Sequence, residues 1–200
     1  MSSTQRAGSR RVRLLALTLP IAAAAVALLA WSQVWVVVEF GDGRQVLTAG
    51  DSAAPAIPPF ALAALALVAA LSLAGVFFRV VLGVLQALLG FGIAMSGVLA
   101  LTDPVQAAAV SVTEATGVDG LDSVRALVEQ VQVSFWPGLA VAAGAAAVVI
   151  GIGIALTASR WPDRIRRYDQ ARLEPAQGSA NPDRLDAWDA LSDGDDPTAR

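Results

Sequence analysis

Apolar and polar stretches alternate along this chain in a pattern that sets its architecture. The apolar runs are Leu14–Ser32, Ile57–Phe78, Val80–Leu101 and Trp136–Ala158. A bilayer core of about 30 Å needs about 20 helical residues, so each run is long enough to cross. The middle two are separated only by Arg79, the one charged side chain between Ser52 and Thr102. Asp51 and Asp103 close their outer ends. The pattern predicts an all-α membrane protein of four transmembrane helices, in which the second and third form a hairpin with Arg79 as its cytoplasmic turn. Pro58, Pro59 and Pro137 fall in first turns, where a missing N–H does no harm, and Pro20 falls inside the first run as a kink.

The polar connections carry patterns of their own. In the first, 33–56, Val34–Phe40 is β-branched and aromatic, Gly41-Asp42-Gly43 is turn chemistry, and Gln45–Thr48 can return as a second strand. A small outer β-hairpin is the reading. In the second, 102–135, Leu121, Val124, Leu127, Val128 and Val131 recur at helical spacing behind Asp119 as a cap. That spacing predicts a short amphipathic helix lying on the outer surface.

Charge orients the spans. Residues 1–13 hold Arg6, Arg10, Arg11 and Arg13 with no acid, and 159–173 hold Arg160, Arg164, Arg166, Arg167 and Arg172. Each outer loop has a single arginine, Arg44 or Arg125. The positive-inside rule therefore places both termini in the cytoplasm. Trp31, Trp35 and Trp136 are expected at the outer interface, and Trp161 and Tyr168 at the inner one. The alternative for the first run is a secretory signal peptide, for which Ala25-Val26-Ala27 is the only small-residue cleavage pattern. Residues 174–200 form an acidic, Pro- and Gly-containing tail that reads as mostly disordered.

Composition narrows the chemistry. The 200 residues are 56% hydrophobic, with no His and no Cys, which removes thiolate and imidazole catalysis, disulfides and the usual zinc ligands. All fourteen basic residues are arginine. No Asp, Glu, Lys or His lies within a span, which argues against a proton relay, an ion-coupled carrier or an intramembrane aspartyl protease. No phosphate loop, nucleophile elbow or metal spacing is present, so no cofactor, no metal, no nucleic acid and no enzymatic activity are expected.

What remains are packing and recognition patterns. Small residues recur at every fourth position at Ala66/Ala70/Ala74, Gly92/Ser96/Ala100 and Ala143/Ala147/Gly151/Ala155/Ser159, and the last set predicts close packing of the fourth span on the hairpin. Gln86 can line a pathway, though an interhelical hydrogen bond is the commoner use. Arg79 can bind an anionic headgroup, and its plainer role is setting topology. In the tail, Asn181-Pro182 can start a helix through Ser192, with Leu185, Trp188 and Leu191 along one side to meet a cytosolic protein. A solvated acidic tail is the alternative. A homo-oligomer is left open.

The outer Ser134-Phe135-Trp136-Pro137, the exit Arg160-Trp161-Pro162 with Arg167-Tyr168-Asp169, and the closing Trp188–Thr198 stretch resemble a bacterial family. It is the integral membrane proteins encoded with the tryptophan operon and associated with tryptophan biosynthesis. The likeness spans nearly the whole chain and implies a multi-pass protein of the cytoplasmic membrane, without supplying an activity or site residues. The function expected is a non-enzymatic membrane scaffold or regulator associated with tryptophan biosynthesis. The alternative is a small transporter, or transporter subunit, for tryptophan or a related aromatic metabolite.

Overall fold

The structure is a computed structural model that describes residues 3–160, with side chains from 17 to 159. In chain order the elements are α1 (Ser3–Trp31), β1 (Val34–Phe40), β2 (Gln45–Ala49), α2 (Gly50–Ala53), α3 (Ile57–Leu73), α4 (Val76–Thr102), α5 (Pro104–Thr116), α6 (Leu121–Leu127), β3 (Val128–Val133) and α7 (Trp136–Thr157). A single 3-10 turn, Ala158–Arg160, follows α7.

The long helices form a bundle in which α1 packs on α3 and α7, and α4 packs on α7 and α3. The Pro58-Pro59 pair and the Trp136-Pro137 signal start α3 and α7 where the pattern places them, with Pro in the first turn of each. The hairpin turn is displaced from its expected position. Helix α3 ends at Leu73, Ala74 is extended (φ −71°, ψ 138°), and Gly75 caps α4. Arg79 is therefore not the turn but a half-buried residue of the first turn of α4, its amide bonded to Gly75 O at 2.9 Å. A β-region break needs residues that leave a helix cheaply, and glycine is the first one available.

Both connections on the other side of the bundle fold together. β1 is the centre of an antiparallel sheet of order β2-β1-β3. β1 and β2 form the hairpin that the turn chemistry predicts. Its loop closes with Gly43 N donating to Phe40 O at 2.9 Å and Phe40 N to Arg44 O at 3.0 Å, while Gly43 holds φ +80°.

The second connection differs from its expected form. The helix of 121–127 is capped by Gly120 rather than Asp119, whose carboxylate only accepts from the Gly120 amide. Val128 and Val131 leave the helix for β3, where Val131 sits opposite Val38. Val-Glu-Gln-Val-Gln-Val is β-branched at half its positions, and β1 offers an open edge for it to pair with; tertiary pairing overrides the helical spacing. A second helix, α5, precedes it unannounced. Asp103 caps α5 by accepting from Gln106 N at 3.1 Å, Pro104 opens it, and Gly117 at φ +73° ends it.

One continuous core runs from bundle to sheet. Ala24, Ala27, Ile57, Ala61, Ile93 and Ala140 from the long helices join Val36 and Val38 from β1, Ala108 and Val112 from α5, and Val124 from α6. Trp35 stands at the junction and is not an interfacial anchor. It is 0% exposed, and its indole N–H donates to Ala30 O at 2.7 Å. Burying both the ring and its polar tip makes it a pin between α1 and the sheet.

Candidate functional site

The most extensive helix–helix contact in the bundle is between α4 and α7, and it is built on a seven-residue repeat. The buried positions of α4 are Gly83, Gln86, Gly90, Ile93, Gly97 and Ala100. Their spacing of three and four is the a/d seam of a coiled coil, with glycine at every a position. Across it, α7 buries Pro137, Ala140, Ala143, Gly144, Ala147, Gly151 and Ile154.

The helices run antiparallel, and the glycines meet backbone. A Cβ on Gly83 would lie 2.8 Å from Gly151 O and from Ala155 N. One on Gly90 would lie 2.8 Å from Gly144 O, and one on Gly97 would lie 2.8 Å from Pro137 O. Only hydrogen fits at these places, which is how small residues bring membrane helices together.

Ala143, Ala147 and Gly151 are buried and Ala155 is half-buried, so this stripe of α7 meets α4 and α1. Its α4 counterpart is Gly83/Gly90/Gly97, which a search at four-residue spacing passes over. Gly92 instead faces α3, where an added Cβ would lie 2.7 Å from the Phe60 ring. Ala66 and Ala70 point outward and form no buried face.

Gln86 is the exception in this seam. It is 0% exposed, and neither its Oε1 nor its Nε2 has a hydrogen-bond partner within the protein. The interhelical hydrogen bond expected of it is not made. Each such buried, unsatisfied group costs about 1–3 kcal/mol. Gln86 lies ten residues from the start of α4 and sixteen from its end, roughly 15 and 24 Å along the axis, between the Gly83 and Gly90 contacts.

The outward faces carry the opposite chemistry. Phe77, Phe78, Leu88, Phe91 and Leu99 of α4 and Val149 and Leu156 of α7 are each more than half exposed. Small residues inside and large apolar ones outside reverse the usual distribution of a water-soluble domain. Helices α4 and α7 are long and apolar enough to cross a membrane, while Leu17–Trp31 and α3 are shorter apolar helices.

A family model described as tryptophan-associated transmembrane protein matches residues 17–198. The chain belongs to that family. No curated protein and no solved structure matches it. As a member of a family of tryptophan-associated transmembrane proteins it is a membrane protein, and the exposed Phe, Leu and Val side chains of α4 and α7 have the chemistry that suits lipid.

Away from the bundle, charged groups of this family member pair among the sheet and the short helices α5 and α6. Arg125 Nη2 reaches Asp103 Oδ2 at 2.5 Å, tying α6 to the α4–α5 corner. Arg44 Nε lies 2.6 Å from Asp42 Oδ2. The Arg44 backbone N–H, then its guanidinium, hold the Asp42 carboxyl below its ordinary range. An open hollow of about 250 Å³ lies where α2, α4 and α5 meet, lined by Ala53, Leu99, Thr102, Asp103 and Gln106. Among the described residues no three His, Cys, Asp or Glu side chains gather as a metal site.

Trp136 is half-buried and stacks on Phe135 with ring centroids 4.3 Å apart, and Trp31 is half-buried at the end of α1. The side chains of Arg160, Trp161, Arg164, Arg166, Arg167, Tyr168, Leu185, Trp188 and Leu191 lie outside the described residues.

Proposed function

We propose that this protein crosses the cytoplasmic membrane four times with both termini in the cytoplasm, and acts as a non-enzymatic scaffold associated with tryptophan biosynthesis. The observation that carries this reading is the sheet. β1–β2 precede α3 and α4, β3 follows them, and β1 pairs with β2 on one side and β3 on the other. Segments on one side of a membrane can pair only if the chain between them crosses an even number of times. If α4 spans, then α3 spans with it, and its 17 residues are at the short end of what a bilayer accepts. The arginines at the N-terminus and after α7 favour the cytoplasm for the opposite side.

A scaffold needs a stiff body, and the shared core from α1 through Trp35 to Val124 supports one. The seam leaves hydrogen-sized gaps between α4 and α7, which supports a closed bundle over a conduit along that seam. The cytosolic tail is then the region for meeting enzymes of the pathway. The test compares cells with and without the gene for membrane-associated tryptophan-synthesis enzymes and for indole and tryptophan efflux. Loss of the enzymes from the membrane fraction with unchanged efflux is the expected result. Changed efflux with unchanged enzyme distribution would replace the scaffold with a transporter.

A further inference from the structure

We propose that Gln86 is the polar contact of an intramembrane binding site for a small, uncharged amide-type solute. The proposal stands apart from the scaffold reading. It rests on the Gly83/Gly90 seam together with a side chain set in that seam, fully buried and without a protein partner at either polar atom.

A polar side chain within a span carries a standing cost; its commoner return is an interhelical hydrogen bond, and its other use is a pathway or ligand contact. A register-fixing polar residue in a helix seam would make its bond to the facing helix, and Gln86 makes none. The carboxamide offers two N–H donors and one carbonyl acceptor on a single flat face. The complementary molecule presents an acceptor and a donor side by side, as a primary amide or lactam does.

Charge excludes itself on both sides of that contact. Arg79, in the first turn of α4, is the only ionisable side chain described between Ser52 and Thr102. A carboxylate or ammonium beside Gln86 would be desolvated without a counter-ion. Indole alone has a donor and no matching acceptor, so it leaves Gln86 Nε2 unsatisfied. The α4–α7 contact is closed by backbone, whereas α3 meets α4 less extensively and is joined to it through Ala74-Gly75. A solute's route in this proposal is therefore the α3 side of α4, where the helices must part to admit it.

The experiment uses the full chain in lipid nanodiscs, with the side-chain amide of Gln86 observed by nitrogen-15 NMR and assigned by its loss in Gln86→Leu. Acetamide and propionamide are titrated beside acetate and ethylammonium. Saturable shifts of the Gln86 NH2 pair with the two amides, and none with the two ions, are expected. Gln86→Leu should abolish the saturable response of neighbouring α4 amides while raising the melting temperature, because leucine fills the position without an unmet hydrogen bond. Gln86→Met provides the same comparison if the leucine variant does not fold. An unmoved Gln86 resonance, equal shifts with ions and amides, or a lowered melting temperature in both variants would overturn the proposal. The last of these would mean that Gln86 serves structure alone.

Discussion

Gly90 and Gly144 face each other across the α4–α7 seam at backbone contact. A Cβ on Gly90 would lie 2.8 Å from Gly144 O, and a Cβ on Gly144 would lie 2.6 Å from Gly90 O. Neither neighbour can give way, because each is a carbonyl of a helical backbone. The relationship explains why both positions carry the residue with the poorest intrinsic helix stability short of proline.

Gly90→Ala and Gly144→Ala should each force the two helices apart. An overpacking cost of about 1–3 kcal/mol is expected. Gly153 on the same helix α7 has open space at its Cβ position, so Gly153→Ala should be neutral or gain about 0.5–1 kcal/mol from helix propensity. Unfolding of the three variants in detergent checks this, and equal effects at Gly144 and Gly153 would remove the seam from the account.

Trp35 and Trp136 look alike in the sequence and differ in the structure. Trp35→Ala should cost about 3–5 kcal/mol, the range for emptying a large aromatic site in a core. Trp35→Phe, which loses the N–H bond to Ala30 O, should cost about 1 kcal/mol beyond its packing change. Trp136→Ala removes a half-buried ring and should cost less than Trp35→Ala. Chemical unfolding of the purified chain orders the three.

The β1–β2 hairpin should respond to acid in one direction. Asp42 has its carboxyl pKa lowered by the Arg44 amide and guanidinium. A depressed folded pKa contributes stability that is complete above the ordinary carboxylate range and is lost as pH falls through the lowered value. Protection of the amides of residues 40–45, measured as exchange relative to the intrinsic rate at each pH, should therefore fall at acid pH, and Asp42→Asn should flatten that dependence. A hairpin whose exchange keeps the same acid dependence in Asp42→Asn would contradict the assignment.

How legible the fold was depends on the element. The long apolar helices α4 and α7 were readable because length and apolarity are written directly in the sequence, and the β1–β2 hairpin because Gly41-Asp42-Gly43 has few other uses. β3 was hidden, since Leu121, Val124, Val128 and Val131 fit a helical period and nothing local reports the free edge of β1. Helix α5 was hidden in turn by its own composition, Ala-rich and without a long apolar stripe. Trp35 was misplaced because a tryptophan at a membrane boundary and one at the boundary of two packed elements read identically. The seam was present in the sequence as Gly83, Gly90 and Gly97, visible at a period of seven and invisible at four. That Gln86 finds no partner follows only from three-dimensional packing, which no spacing rule reports.

The central claim is that the sheet and the end of α7 lie on opposite sides of the membrane. The chain has no cysteine, so single introduced thiols report without background. Gln45→Cys in β2, Gln130→Cys in β3 and Ser159→Cys after α7 all replace exposed residues. The measurement is labelling of intact cells with a membrane-impermeant maleimide, before and after permeabilisation. The account predicts that Cys at 45 and 130 label in intact cells and Cys at 159 only after permeabilisation. Labelling of 45 and 130 from opposite sides, or of 159 from outside, would contradict it.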